Sequence, residues 1–273
     1  MPRPPTPAEK VKLKKTFPKL DVDKVIVSGE ATSDYNCIAW TLGITNSWIW
    51  PGEKEADFDK LYKGQGFVRS TDGPIAAWGT GQDKMTHGCI TGSGHGARWE
   101  SKIGEEIRIQ HGLTELEGAA YGKVRFFYAS RVSAVSSDRN ITVVQLLQSA
   151  RSEGVLLERL TNELRVVPKA MHDEFEKRYA AWQQTWTRGD IAISSDPRAV
   201  RNSPEFLELC ALGVEIVPLL LRRIVESADH RALQVYDALQ LNDALRVESF
   251  SDHRVIGGEQ YRALVTAQRW LSR

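Results

Sequence analysis

Apolar side chains change their spacing along this chain, and each change predicts a different kind of element. Ile38, Ala39 and Leu42 recur at helical spacing behind a capping Ser33 or Asp34 and ahead of Gly43, which predicts a short helix over residues 34–42. Phe58, Leu61 and Tyr62 share one side of a second predicted helix, residues 53–63. Runs rich in aromatic and β-branched residues then predict strands over 84–91, 97–101, 106–110 and 123–129, the first two joined by the glycine-rich turn Gly92 to Gly96. From about residue 140 the period becomes helical: Val143 to Leu147 opens one helix, and 155–164, 171–186, 204–212, 214–226, 228–239 and 258–271 continue the pattern. Gly213 is placed to end a helix in the left-handed conformation, and Pro218 fits only near the start of the next. The expected fold class is α+β: a helix packed on an antiparallel meander in residues 30–135, then an all-α domain in residues 136–273.

Residues 1–29 stand apart. The first twenty carry six basic side chains against one acid, with four prolines before residue 8, and read as a poorly ordered basic arm with room for a short helix around residues 8–15. Over the whole chain Lys and Arg number 36 and Asp and Glu 35, so no global basic field exists to draw in nucleic acid or an anionic membrane. No nucleic-acid partner is expected. The longest apolar run, Val217 to Leu221, contains a proline and is far short of the ~20 residues of a bilayer span, so no membrane partner is expected either. The N-terminal residues show no secretory pattern, and three widely spaced cysteines suit reduced thiols, which points to the cytoplasm while leaving signal-independent export open.

Residues 30–130 hold most of the glycines and five of the eight tryptophans, and the candidate chemistry falls there. Cys37 lies in the first turn of a predicted helix, where a helix dipole lowers a thiol's pKa and free backbone N–H groups lie near sulfur. Such a nucleophile needs an imidazole to move its proton, and His87, early in a predicted strand, is the best placed. A third group must orient that imidazole; the paired strand offers Glu100 or Ser101. The competing reading treats Cys37 as an ordinary core residue. Trp48 and Trp50 can wall a cleft or simply pack. His87, Cys89, His95 and His111 lack the tight spacing of a zinc site, so no metal or cofactor is expected, and the strings Gly79-Thr80-Gly81 and Gly92 to Gly96 lack the lysine and helix of a phosphate loop.

The string YNCIAWTLGI, then WIWPG, THG, GARWESKIG and the segment from His111 to Gly122 resemble an uncharacterised bacterial domain family with a YNCIAWALG-like opening. The order of Asn-Cys helix, His strand and W-x-x-K-x-G turn is similar to papain-like cysteine hydrolases of the amidase and peptidase kind. That resemblance implies a papain-like domain with Cys37 as nucleophile, His87 as base, Ser101 as the third polar group, and Lys102 and His111 at further polar positions. Asn36, Trp48, Trp50, Trp99 and Lys102 are then the candidate substrate-binding residues. Gly88-Cys89 departs from the small apolar pair usual after the histidine, placing a second thiol near the site. The helical half resembles a small bacterial all-α module with a P-x-F, LG and P-LLL signature and no acid/base cluster, which suits packing or a protein partner.

The function expected is cysteine-dependent hydrolysis or acyl transfer at an amide bond of a protein or peptide, in a chain whose size suits a bacterial toxin or effector. The alternative is a non-catalytic binding or immunity-type protein that keeps a degenerate hydrolase scaffold and docks a partner on its helical domain.

Overall fold

The computed structural model describes residues 2–81, 83–92, 98–130, 153–247 and 258–273. His95 and most of the predicted Gly92 to Gly96 turn, and the helix expected to open at Val143, lie outside them. The described residues form two units: the first comprises residues 2–130 together with Ala192–Asp196, the second the rest of the chain from 153 onward. The return of five residues to the first unit has no counterpart in the sequence reading.

Residues 2–29 are ordered by specific contacts, which overturns the expectation of a loose arm. Helix α1, Pro7–Thr16, begins at a capping box in which the Thr6 hydroxyl accepts from Glu9 N–H and the Glu9 carboxylate accepts from Thr6 N–H at 2.6 Å. Arg3 bridges Glu9 and Glu30, and Leu13, Phe17 and Leu20 are buried in the core of the first unit. The dense lysines obscured these three apolar positions, which fall at i, i+4 and i+7.

Strand β1 (Ile26–Gly29) is followed by helices α2 (Cys37–Thr41) and α3 (Glu55–Gly64), and then by β2 (Phe67–Ser70), β3 (Ile75–Gly81), β4 (Lys84–Thr91), β5 (Trp99–Lys102), β6 (Arg108–His111) and β7 (Lys123–Ser130). They form one seven-stranded sheet in the order β1-β6-β5-β4-β3-β7-β2, paired antiparallel throughout. Of the expected four-strand meander, β4, β5 and β6 follow one another, but β7 does not continue it: it inserts between β3, a strand not expected from the sequence, and β2, while β1 closes the far edge. Helix α2 starts at Cys37 and not near Asp34, because the Asn36 side chain caps it by accepting from Ala39 N–H at 3.0 Å.

Alternation along the strands gives the sheet two faces. Ala76 and Trp78 of β3 pair with Cys89 and His87 of β4, and Ser101 of β5 with Ile109 of β6, putting these side chains on the face covered by α1. Gly88 and Ala77 fall on the opposite face, where α2 and α3 pack. A Cβ at Gly88 would meet Ile38 Cδ1 at 3.0 Å and the Tyr62 hydroxyl at 3.3 Å, so only glycine lets α2 lie this close to β4. Strand β5 pairs with β4 only through Ile90–Glu100 and Thr91–Trp99, and the two strands part toward the His87 end.

The second unit is helical among its described residues: α4 (Glu153–Arg165), α5 (Lys169–Gln183), α6 (Gly189–Ile193, whose last two residues belong to the first unit), α7 (Pro204–Cys210), α8 (Val217–Ser227), α9 (Ala232–Leu239) and α10 (Gly258–Leu271). Its core gathers Phe175, Tyr179, Trp182, Leu219, Leu220, Leu221 and Trp270. Gly213 has φ +80° and Pro218 sits in the first turn of α8, as their residue types require. Inside the unit, Arg262 pairs with Glu259 at 2.7 Å and with Asp237 at 3.0 Å. No helix among the described residues is long and apolar enough to cross a membrane.

Candidate active site

Cys37 stands at the first position of α2 with no exposed surface. A helix of five residues has little macrodipole, and burial pushes the thiol up to about 11, with hydrogen bonds from Ser195 and the backbone of Gly88 pulling the other way. The sequence expected a lowered pKa; desolvation of the sulfur reverses that expectation. The thiol lies 3.0 Å from the Ser195 hydroxyl.

His87 projects from β4 on the α1 face, also fully buried, with its ring stacked on Tyr121 at 3.9 Å between centroids. Its Nε2 lies 2.9 Å from Ser101 Oγ, and the same oxygen lies 2.8 Å from His111 Nε2. The sequence reading offered Glu100 or Ser101 for this contact. The structure brings Ser101 to it, while Glu100 points to the other face and pairs with Arg108 at 3.2 Å.

The protons in this chain of groups can be followed from its far end. His111 Nδ1 donates to the Gly112 carbonyl at 2.8 Å, and burial holds His111 down to about 4, so the ring is neutral near pH 7 and its Nε2 is a lone-pair acceptor. The Ser101 hydroxyl must therefore donate to His111 Nε2, and Ser101 Oγ accepts from His87 Nε2–H. Burial, followed by the nearby His111, keeps His87 well below its usual range and hence neutral. Its proton being on Nε2, Nδ1 is left bare; it is buried and has no hydrogen-bond partner among the described residues. Among the described residues the Cys37 thiol and the His87 ring share no hydrogen bond, and the thiol's side-chain partner is Ser195. Each of the two candidate side chains meets a serine, Cys37 Ser195 and His87 Ser101.

The remaining sequence candidates are engaged by contacts inside the protein. Asn36 donates to the Ile49 carbonyl at 2.6 Å and accepts from Ala39 and Ile49 N–H. Trp48 is buried and donates to the Ser195 carbonyl at 2.9 Å, and Trp50 is buried edge-on to Phe58. Trp99 packs against Phe127 at 5.9 Å between centroids. The buried Lys102 ammonium donates to the carbonyls of Thr32, Gly104 and Glu106 at 2.9, 2.6 and 2.7 Å, a cradle that opposes the desolvation pushing its pKa down to about 7. These contacts turn the polar atoms of Asn36 and Lys102 toward the protein. Among the described residues no three His, Cys, Asp or Glu side chains gather as metal ligands.

Ser195 was not found by the sequence reading. It lies 158 positions from Cys37, in a stretch whose composition marks nothing but a loop before a proline. Around it, the Ala192 carbonyl accepts from Glu105 N–H, the Ile193 carbonyl from the Tyr121 hydroxyl, and the Ser195 carbonyl from Trp48 Nε1 and Asn36 Nδ2.

A family model described as Domain of unknown function (DUF7689) matches residues 26–129. The matched stretch takes in Cys37, His87, Ser101 and His111 and stops short of Ser195. No curated protein and no solved structure matches the chain.

Proposed function

We propose that the first unit is a papain-like cysteine hydrolase or acyl transferase acting on amide bonds, held closed in this structure. The observation that carries the reading is His87 Nδ1: a buried nitrogen with no hydrogen-bond partner among the described residues, left bare by the His111 and Ser101 bonds. Burial ordinarily gives every polar atom a partner, so a bare base nitrogen suits a proton acceptor waiting for its reaction.

In the open site, Nδ1 takes the Cys37 thiol proton as sulfur attacks the substrate carbonyl carbon. The C–N bond breaks and the imidazolium returns the proton to the leaving amine. Water, deprotonated by the same nitrogen, then cleaves the thioester, or an amine displaces it in transfer. Ser101 is a positioning residue that holds Nε2–H. The test is turnover of peptide and glutamine-amide libraries by wild type, Cys37→Ala and His87→Ala, with an electrophilic cysteine probe read by mass spectrometry. Probe adduct at Cys37 and loss of turnover in both variants are expected; undiminished turnover in Cys37→Ala ends the reading.

A second reading is favoured by one observation, the complete burial of both Cys37 and His87 with the thiol pushed up to about 11. In it the scaffold is non-catalytic, and the protein binds a partner. It predicts no probe adduct under any condition that preserves the fold.

A further inference from the structure

We propose that Ala192–Asp196, the end of α6 and the three residues after it, occupies the substrate's main-chain site, so that the cleft takes a peptide with an aliphatic side chain two residues before a small one, and the chain keeps its own site latent. The inference rests on the cysteine-hydrolase reading for the purpose of the cleft.

Four bonds hold this strap by its main chain, and a fifth joins its Ser195 side chain to the thiol. Glu105 N–H takes the Ala192 carbonyl at 3.0 Å and the Tyr121 hydroxyl takes the Ile193 carbonyl at 3.0 Å. Trp48 Nε1 at 2.9 Å and Asn36 Nδ2 at 3.4 Å take the Ser195 carbonyl, and the Ser195 hydroxyl meets Cys37 Sγ. Two side-chain N–H donors on one carbonyl beside a nucleophile are the layout that stabilises charge developing on an attacked carbonyl. Backbone recognition of this kind is indifferent to sequence, so specificity falls on the side chains the strap presents. Ile193 is buried with Ile103, Ile107 and Tyr121, which defines an aliphatic pocket, and Ser195, 1% exposed, fills the space next to sulfur. The seat is shaped for a strap: Gly104 has φ +48°, and a Cβ there would overlap the Ala192 carbonyl.

The test reads thiol accessibility in the intact chain, which needs no turnover. Cys89 is as buried as Cys37 and lies on β4, so it reports opening of the sheet, and the partly exposed Cys210 reports intrinsic alkylation. Trp48→Phe with Tyr121→Phe keeps an aromatic ring at each position and removes two donors from the strap. Iodoacetamide labelling followed by peptide mass spectrometry should show slow Cys37 modification in wild type and at least about a tenfold rise in the double variant, with Cys89 unchanged. Trp48→Phe alone, the milder variant should the pair fail to fold, should give about a fivefold rise. Adding the peptide Ile-Ala-Ile-Ser-Ser-Asp-Pro at millimolar concentration should slow Cys37 labelling again, and the same peptide with Asp in place of its second Ile should not. Equal rises at Cys37 and Cys89, an unchanged Cys37 rate in the folded variants, wild-type labelling as fast as at Cys210, or failure of the peptide to protect each overturns the proposal. A gated Cys37 without turnover in any variant would sink the hydrolase reading and leave the strap as a cover.

Discussion

His111 Nδ1 donates to the Gly112 carbonyl at 2.8 Å, and that bond decides where the proton lies on His87, two strands away. With His111 Nε2 left as an acceptor, the Ser101 hydroxyl has one direction in which to donate. Nitrogen-15 NMR of the His87 ring should show Nε2 protonated and Nδ1 bare near pH 7. In His111→Leu the Ser101 hydroxyl is free to donate to His87 Nε2, and the proton should move to Nδ1. An unchanged His87 spectrum in that variant would show that His111 does not set the tautomer.

Removing the shared hydroxyl leaves two buried ring nitrogens without a partner. Ser101→Ala should lower stability by about 2–4 kcal/mol in urea unfolding, and once a substrate is known should reduce turnover about tenfold to a hundredfold. A loss below ~0.5 kcal/mol would mean that the relay contributes little.

Acid should weaken the first unit through its buried imidazoles. His111 is depressed in the fold to about 4 from an ordinary value of 6.5, so its contribution is fully present above ~6.5 and is lost as pH falls toward 4. The loss is on the order of 3 kcal/mol for that histidine, and His87 acts in the same direction. Urea midpoints followed by tryptophan fluorescence between pH 7.5 and 4.5 should fall steeply, and less steeply in His111→Leu.

Lys102 should resist every substitution. Lys102→Met leaves three buried carbonyls without their donor and should cost about 3 kcal/mol or more. Lys102→Arg should not rescue it, since a planar guanidinium cannot reach three carbonyls converging on one nitrogen. Thermal unfolding of both variants gives the answer.

The Gly88–Ile38 contact can be titrated by volume. Gly88→Ala should cost about 1–3 kcal/mol by pushing on Ile38 Cδ1, and Ile38→Val, which deletes that carbon, should recover part of the loss in the double variant. Additive losses would show that α2 does not rest on β4 at this point.

Local signals in the sequence led to Cys37, His87 and Ser101 of the candidate site. Strand β4 has the predicted bounds, because Lys84–Thr91 carries its own β-forming pattern between turn residues. The alternation that sets Glu100 and Ser101 on opposite faces is a property of any strand, and it separated the ion-paired carboxylate from the hydroxyl that meets His87. Strand β3 was missed because Ile75 to Gly79 is buried on both faces and shows no alternation, reading like the glycine loops beside it. The thiol's raised pKa and the contact with Ser195 were beyond reach. Both depend on what covers Cys37, and that cover comes from a segment with no local pattern of its own.

The same segment imposes an order on biosynthesis. All seven strands of the first unit have been translated by Ser130, but its last piece, Ala192–Asp196, follows only after much of the helical chain has been made. At roughly 5–20 residues per second the ribosome spends several seconds on the interval. During that time the sheet can form with Cys37 uncovered, and the matched family stretch, residues 26–129, is the part that stands in this condition. A nascent chain arrested before Ala192 should therefore react with thiol reagents at Cys37, and release of the finished chain should end that reactivity.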